Sequence, residues 1–401
     1  MPSSISHSDA HKAEVRGVRE GALPAGLRQT AANRPGQAQP VPTRDIPTRP
    51  WVKMGAFVLC AVTLMTAAWE WNARANLGLR AGDIDDSPQS WAEQRRLADA
   101  APAVIVGDSR ILFDTDLDRF EQLTGVRPIQ TSIVGTNARA LLESYANDPN
   151  FHGLLILGMA ELSFFRPQGV GNGGPYLKNF KKNDKPSQLT GLWIDRFLQR
   201  YLAFMDSDYR LSQWAPRFDH TMRAKTYGPY ENVWKLSEVF DGRQYFMWDQ
   251  IEKNTYLRTH ARYAWNVFKG PPLPPFIANN VIARSAEAVR RIRARGGDVI
   301  FIRPPSAPEL RVIENKRLPR SIGWDALLRT AQAKGIHADD LPRAQNLVIP
   351  EWSHLNRACA TVFTDAYVRR LVELTPRLKL RADAPRPLSR ADCVPARIAS
   401  L

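Results

Sequence analysis

The sequence predicts an α/β domain built on a parallel sheet with helices on both faces, carried outside the cytoplasm by one apolar N-terminal helix. Three observations predict it. From residue 101 short apolar strands alternate with helices. Ahead of them, Met54 to Trp69 contains no charged residue and is bracketed by Lys53 and Glu70. The alternation breaks off near residue 166 and resumes near 277, an interval far too long for an ordinary connection.

The totals set the bounds. The 401 residues carry a formal charge of +15 with 44% apolar residues, enough for one or two domains with a real core and too polar for a polytopic membrane protein. Residues 1–53 hold eight Lys/Arg against four Asp/Glu, which leaves +11 on the remainder. That excess suits anionic lipid, an acidic polymer or nucleic acid. Nucleic acid is the weakest of the three, because no zinc-ligand spacing, RNA-binding signature or helix-turn-helix pattern is present. No cofactor and no metal are expected.

Residues 1–50 are rich in Pro, Ala, Gly, Arg and Gln without apolar periodicity, and are expected to be a disordered cytoplasmic tail. Residues 51–73 are the expected transmembrane anchor, with Trp51, Trp69 and Trp71 placed as interfacial aromatics. At 1.5 Å per residue the uncharged run is short for a bilayer of about 30 Å, and snorkelling flanks make up the difference. Arg28, Arg34, Arg44, Arg49 and Lys53 precede the span, whereas Asp83, Asp85, Asp86 and Glu93 follow it. The basic side stays in the cytoplasm, so the main domain is expected in the periplasm of a bacterial inner membrane. A cleaved signal peptide is the alternative, with Ala73-Arg74-Ala75 weakly site-like; the long tail ahead of the span favours an uncleaved anchor. Residues 74–100 are expected to be a linker. Of three cysteines, Cys60 falls in the span, and Cys359 and Cys393 are either disulfide-bonded or free and buried.

Strands are expected at Ala103–Gly107, Pro128–Ile133, Gly153–Gly158, Asp298–Arg303 and, weakly, Ile336–Asp340. The continuous apolar run Gly-Leu-Leu-Ile-Leu-Gly at 153–158 is of the kind buried on both faces. Helices are expected at Ile111–Thr124, Asn137–Ala146, Ile277–Arg295, Trp324–Lys334 and Asn356–Leu374. The domain therefore comes in two parts, 101–165 and 277–376, followed by a C-terminal tail, 377–401. The interval 166–276 is expected to be a helical insertion. It opens with Gly169-Val170-Gly171-Asn172-Gly173-Gly174 and carries Trp193, Trp214, Trp234, Trp248 and Trp265, most of them expected in its own core.

Val106-Gly107-Asp108-Ser109 ends the first strand at a turn into a helix, the edge where open α/β sheets place reacting groups. Spare amides at such a helix start can stabilise an oxyanion; alternatively Asp108 or Ser109 merely caps the helix. A serine needs a base to take its proton, and the base needs an acceptor to fix its tautomer. His152 precedes the third strand and His337 begins the fifth, both expected away from the carboxyl edge. His354, in Glu351-Trp352-Ser353-His354-Leu355-Asn356, lies on a loop at that edge with Glu351 three residues earlier.

Gly107-Asp108-Ser109 after the first strand, Gly135 after the second, Gly158 at the end of the third, and a late acidic-x-x-His at Glu351–His354 together resemble the SGNH/GDSL hydrolases over about residues 101–165 and 277–374. The resemblance implies a flavodoxin-like three-layer α/β/α domain with Ser109 as nucleophile and His354 as base. Amides of Ser109 and Gly135 would line the oxyanion hole. The family's late Asp is Glu351 here, with Asp339 or Asp340 as alternative orienting acids. Its third block, Gly-x-Asn-Asp, reads Gly158-Met159-Ala160-Glu161, so the side-chain amide is absent unless Asn137 supplies it. Within the family a single-span extracytoplasmic chain resembles the envelope proteins that acylate polysaccharides beside a multi-span membrane-bound O-acyltransferase. The expected function is thus a serine esterase or O-acyltransferase on cell-envelope polysaccharide, or else a catalytically silent domain that binds glycan or a membrane partner.

Overall fold

The structure is a computed structural model, and it describes residues 50–167, 171–181, 185–210 and 235–394. The expected tail before Pro50, Trp214 and Trp234 lie outside the described residues. The chain divides into Met1–Thr66 and one compact unit, Ala67–Leu401. Helix α1, Trp51–Ala75, runs from the first into the second. Among the described residues it is the helix long and apolar enough to cross a membrane, and its apolar window is exposed.

Five strands form the parallel sheet: β1 Ala103–Gly107, β2 Ile129–Gln130, β3 Leu154–Gly158, then β6 Asp298–Arg303 and β7 Lys334–His337, in the order β2-β1-β3-β6-β7. Between β3 and β6 in sequence lies an antiparallel hairpin, β4 Ser237–Phe240 and β5 Gln244–Met247. The insertion is therefore not wholly helical, as the sequence had suggested. The hairpin is bound to the edge of the domain: Gln244 accepts the Leu117 N–H and donates to Thr115 O, and Arg243 donates to Gln130 O.

Helix α2 (Pro88–Leu97) precedes β1, and α3 (Ser109–Phe113), α4 (Leu117–Thr124) and α5 (Ala138–Ala146) follow in turn. The insertion contributes α6 (Pro186–Gln199) and α7 (Thr255–Tyr263); α8 (Pro275–Ala294), α9 (Pro308–Arg317) and α10 (Trp324–Ala331) follow, and the segment 338–356 leads to α11 (Arg357–Leu374). Alternate strand residues point to opposite layers, as a period of two requires. Val104, Val106, Leu155, Leu157, Val299 and Phe301 pack against α2, α5, α8 and α10. Ile105, Ile156, Ile300, Ile302 and Ile336 pack against α4 and α11. Both sheet faces are covered, which is why these strands read as unbroken apolar runs.

Three expectations are corrected. Residues 74–100 are not a linker: Trp91 of α2 is buried and donates its indole N–H to Thr131 O at 2.8 Å. The segment after α11 is not a loose tail through its described part, since Leu378, Cys393 and Val394 are buried. The expected helix 111–124 is two helices broken at Asp114-Thr115-Asp116, where Asp116 caps α4.

Cys359 of α11 is disulfide-bonded to Cys393, closing a loop with a separation of 34 residues. Reducing it removes a constraint on the unfolded chain, worth about 3–4 kcal/mol for a loop of this size. Urea unfolding with and without reductant should show that loss, and Cys393→Ser should show the same loss without reductant.

Candidate functional site

The chain passes from β1 outward to β2, then returns across β1 to β3, so the sheet order reverses between β1 and β3. The crevice outside the carboxyl ends of such a pair is where open α/β sheets bind ligands. Gly107 and Gly158 are register partners at that end of β1 and β3. A Cβ at Gly158 would stand 2.1 Å from Ile111 Cβ, so a side chain there would push α3 off the sheet. The glycine lets α3 settle directly on the strand ends with Ser109 in its first turn.

Asp108 caps α3, its Oδ1 accepting the Arg110 N–H at 3.1 Å and its Oδ2 the Ala160 N–H at 2.5 Å. Burial pushes the Asp108 carboxyl up, against the Ala160 amide and the Arg110 charge that pull it down. Ser109 itself is half-buried. Four residues along the same helix, Phe113 stacks on the His354 ring with centroids 4.4 Å apart. The turn after β1 and the loop before α11 thus meet.

His354 is 1% exposed and Glu351 is fully buried. Glu351 Oε1 receives three N–H groups: His354 Nδ1 at 2.9 Å, His354 N at 2.6 Å and Ser353 N at 3.1 Å. With Nδ1 donating to the carboxylate, Nε2 carries the lone pair, and it is buried with no hydrogen-bond partner among the described residues. In that tautomer Nε2 is the ring's hydrogen-bond acceptor. The loop backbone is wound tightly, with Trp352 at φ 83°.

Asp339 and Asp340 are turned elsewhere. Asp339 pairs with Arg311 and Asp340 with Arg320 at 2.6 Å, so neither orients His354. His337 ends β7 rather than beginning it, because the strand is Lys334–His337, two residues earlier than expected. It therefore does lie at the carboxyl edge, but its Nδ1 accepts the Asp339 N–H at 3.1 Å, and burial lowers its pKa to about 3. His152 precedes β3 and is exposed.

Gly135 holds φ 65°, and a Cβ on it would meet Asn172 Nδ2 at 2.6 Å. Gly135 O accepts the Asn172 N–H at 3.1 Å, so Gly171 and Asn172 of the insertion lie on the loop after β2. Asn137 caps α5 through Oδ1, while its buried Nδ2 has no partner among the described residues. At the third block the Ala160 amide is committed to Asp108, which leaves Asn137 and Asn172 as the side-chain amides on the Gly135 loop.

Several contributors were not recognised from sequence. Trp265, expected in the insertion's own core, donates its indole N–H to Glu351 Oε2 at 2.6 Å and lies edge-on to His354 at 5.4 Å. Asp114, at the end of α3, accepts the Leu355 N–H at 2.8 Å and ties the histidine loop to the serine helix. Burial raises the Asp114 carboxyl well above its ordinary range, and the nearby Glu351 adds to this. Beneath the site, Arg110 pairs with Glu314 and donates to Ser353 Oγ at 3.1 Å, and Glu314 in turn pairs with Arg303 at 2.6 Å. Arg303 also reaches Glu161 at 3.3 Å. All four charged side chains are buried. A cavity of about 350 Å³ on the far side of the loop is lined by Trp352, Arg262, Arg311 and Asn346, among others. Among the described residues no group of three metal-ligating side chains is assembled.

Trp265→Phe keeps an aromatic ring beside His354 and removes the donor to Glu351. A buried hydrogen bond to a charged group is worth about 1.5–3 kcal/mol. The free energy of urea unfolding is therefore expected to be lower by about that amount in the variant.

No family model, no curated protein and no solved structure matches this chain.

Proposed function

We propose that this chain is an SGNH-type serine hydrolase or acyltransferase, its α/β domain held outside the cytoplasm by α1. Within that class the reading favoured is an esterase or O-acyltransferase on cell-envelope polysaccharide. One observation carries it: a buried imidazole with Nδ1 held by Glu351 and Nε2 open, stacked on the short helix that Ser109 begins. Ser109 Oγ attacks the acyl carbonyl as His354 Nε2 takes its proton, and the oxyanion is met by the amides of Ser109 and Gly135. Collapse releases the first alcohol, which takes the proton from His354, and leaves acyl-Ser109. A sugar hydroxyl or water then attacks, giving its proton to His354, which passes it to Ser109 Oγ as the acyl–serine bond breaks.

The charge of +11 beyond residue 53 supports a polyanionic glycan as acceptor. A multi-span acyltransferase in the inner membrane is the partner this reading calls for as acyl donor. The second reading, a silent domain that binds glycan or a membrane partner, is favoured by Ala160, whose side chain offers no donor. Fluorophosphonate labelling separates the two. An adduct mapped by mass spectrometry to Ser109 supports the enzyme, and an unmodified Ser109 in folded protein rejects it.

A further inference from the structure

Helix α6 carries an exposed apolar face. Leu189, Trp193 and Phe197 recur every four residues and continue to Tyr201 just beyond the helix, with Ile194 alongside. Trp193 is 68% exposed, Phe197 52% and Tyr201 63%. Trp193 stacks on Phe197 and Phe197 meets Tyr201 edge-on, so the three rings form one continuous strip. The helix is held by the domain beside and behind this strip: Arg196 at its flank pairs with Glu93 and donates to Ser90 Oγ, and Gln199 on the far side is buried. A helix with one side held by the protein and an aromatic strip facing outward has the composition of an interfacial element. The insertion's tryptophans were expected in its own core, and Trp193 departs from that.

The occupant is indicated by what the end of this helix is fastened to. Arg74, one residue before the end of α1, donates to Tyr201 O at 3.0 Å. Glu70, at the polar end of the apolar run, accepts the N–H groups of Ala203 and Phe204, both at 3.0 Å. Ala73 is buried against the same unit. The aromatic strip therefore ends at the residues where the apolar helix stops being apolar, next to Trp69 and Trp71, the side chains that suit a headgroup layer. Lys181 and Lys185 at the other end of α6 are exposed and carry charge of the sign that anionic headgroups attract.

We infer that the outward face of α6 lies in the interfacial layer of the bilayer that α1 crosses, making a second, monotopic membrane contact that sets the domain's orientation above the lipid. The inference rests on α1 being a membrane anchor.

Full-length protein in vesicles of phosphatidylethanolamine and phosphatidylglycerol tests both. Native Cys60 is the free cysteine among the described residues, and a nitroxide on it reports on the anchor. Trp193→Cys and Phe197→Cys, each in a Cys60→Ser background, report on the strip. Power saturation by oxygen and by a water-soluble nickel chelate reads each label's surroundings. Labels at 60, 193 and 197 that all respond more to oxygen than to nickel bear out the inference. A lipid-exposed label at 60 with water-exposed labels at 193 and 197 overturns it and leaves the anchor standing. A water-exposed label at 60 overturns the anchor and the inference with it.

Discussion

Ser109→Ala is expected to lower acyl-ester turnover by at least about 10⁴-fold, leaving what binding and the oxyanion donors achieve without a nucleophile. His354→Ala should cost about as much, since a serine without its base is nearly inert, and the double variant should be no worse than either single one. Non-additivity of this kind is the mark of residues acting as a unit. The single-turnover measurement that checks it uses an activated acetyl ester, with circular dichroism to show that each variant is folded. Equal rates for Ser109→Ala and the unaltered chain would remove Ser109 from the chemistry. Because Ser109 is half-buried and caps nothing with its side chain among the described residues, its loss should leave stability within about 0.5 kcal/mol.

Glu314→Gln is expected to be the most destabilising single change, by about 3–5 kcal/mol. Glu314 bridges two buried guanidiniums, receiving Arg110 on Oε1 and Arg303 on Oε2, and the amide would leave Arg110 short of its counter-ion and Arg303 with Glu161 only. Although burial pushes its carboxyl up, Arg110 and Arg303 outweigh this and hold it down to about 2. The sign of the pH dependence follows. A carboxyl lower in the folded than in the unfolded chain stabilises fully above its ordinary value near 4.5, and that contribution fades as pH falls toward 2. The gap in urea-unfolding free energy between the two proteins should therefore be widest at neutral pH and narrow below about pH 4.5. Arg110 follows Ser109 directly and also holds Ser353, so the variant should lose activity through misplacement of both catalytic loops even where it remains folded.

The sheet was legible because each strand announces itself locally. Ala103–Gly107 and Leu154–Gly158 are short apolar runs ending in glycine, and the helices between them leave only a parallel arrangement. Glu351 and His354 were legible for the same reason: a spacing of three in one turn needs no long-range information. Where local signals were weak or absent, the reading failed. The strand at 334–337 was set two residues late, which moved His337 to the wrong end. Residues 74–100 read as a linker because the partners that bury Trp91, Thr131 and the rings of Tyr176 and Phe180, are distant in sequence.

Residue order and chemistry within single turns were enough to predict a parallel α/β core, an apolar helix ahead of it, and the pairing of Glu351 with His354. Folding in three dimensions settled what surrounds them. Trp265 reaches Glu351 from 86 residues away, Asp114 reaches Leu355 across 241, and Arg110 reaches Glu314 across 204. None of these has a periodicity or motif, because each is a buried polar group satisfied by whichever partner the packed layers bring to it. The same holds for Cys359 and Cys393, whose pairing depends on the last segment folding back on α11. Local pattern specifies elements; desolvation, acting only once those elements are packed, selects the partners that complete the site.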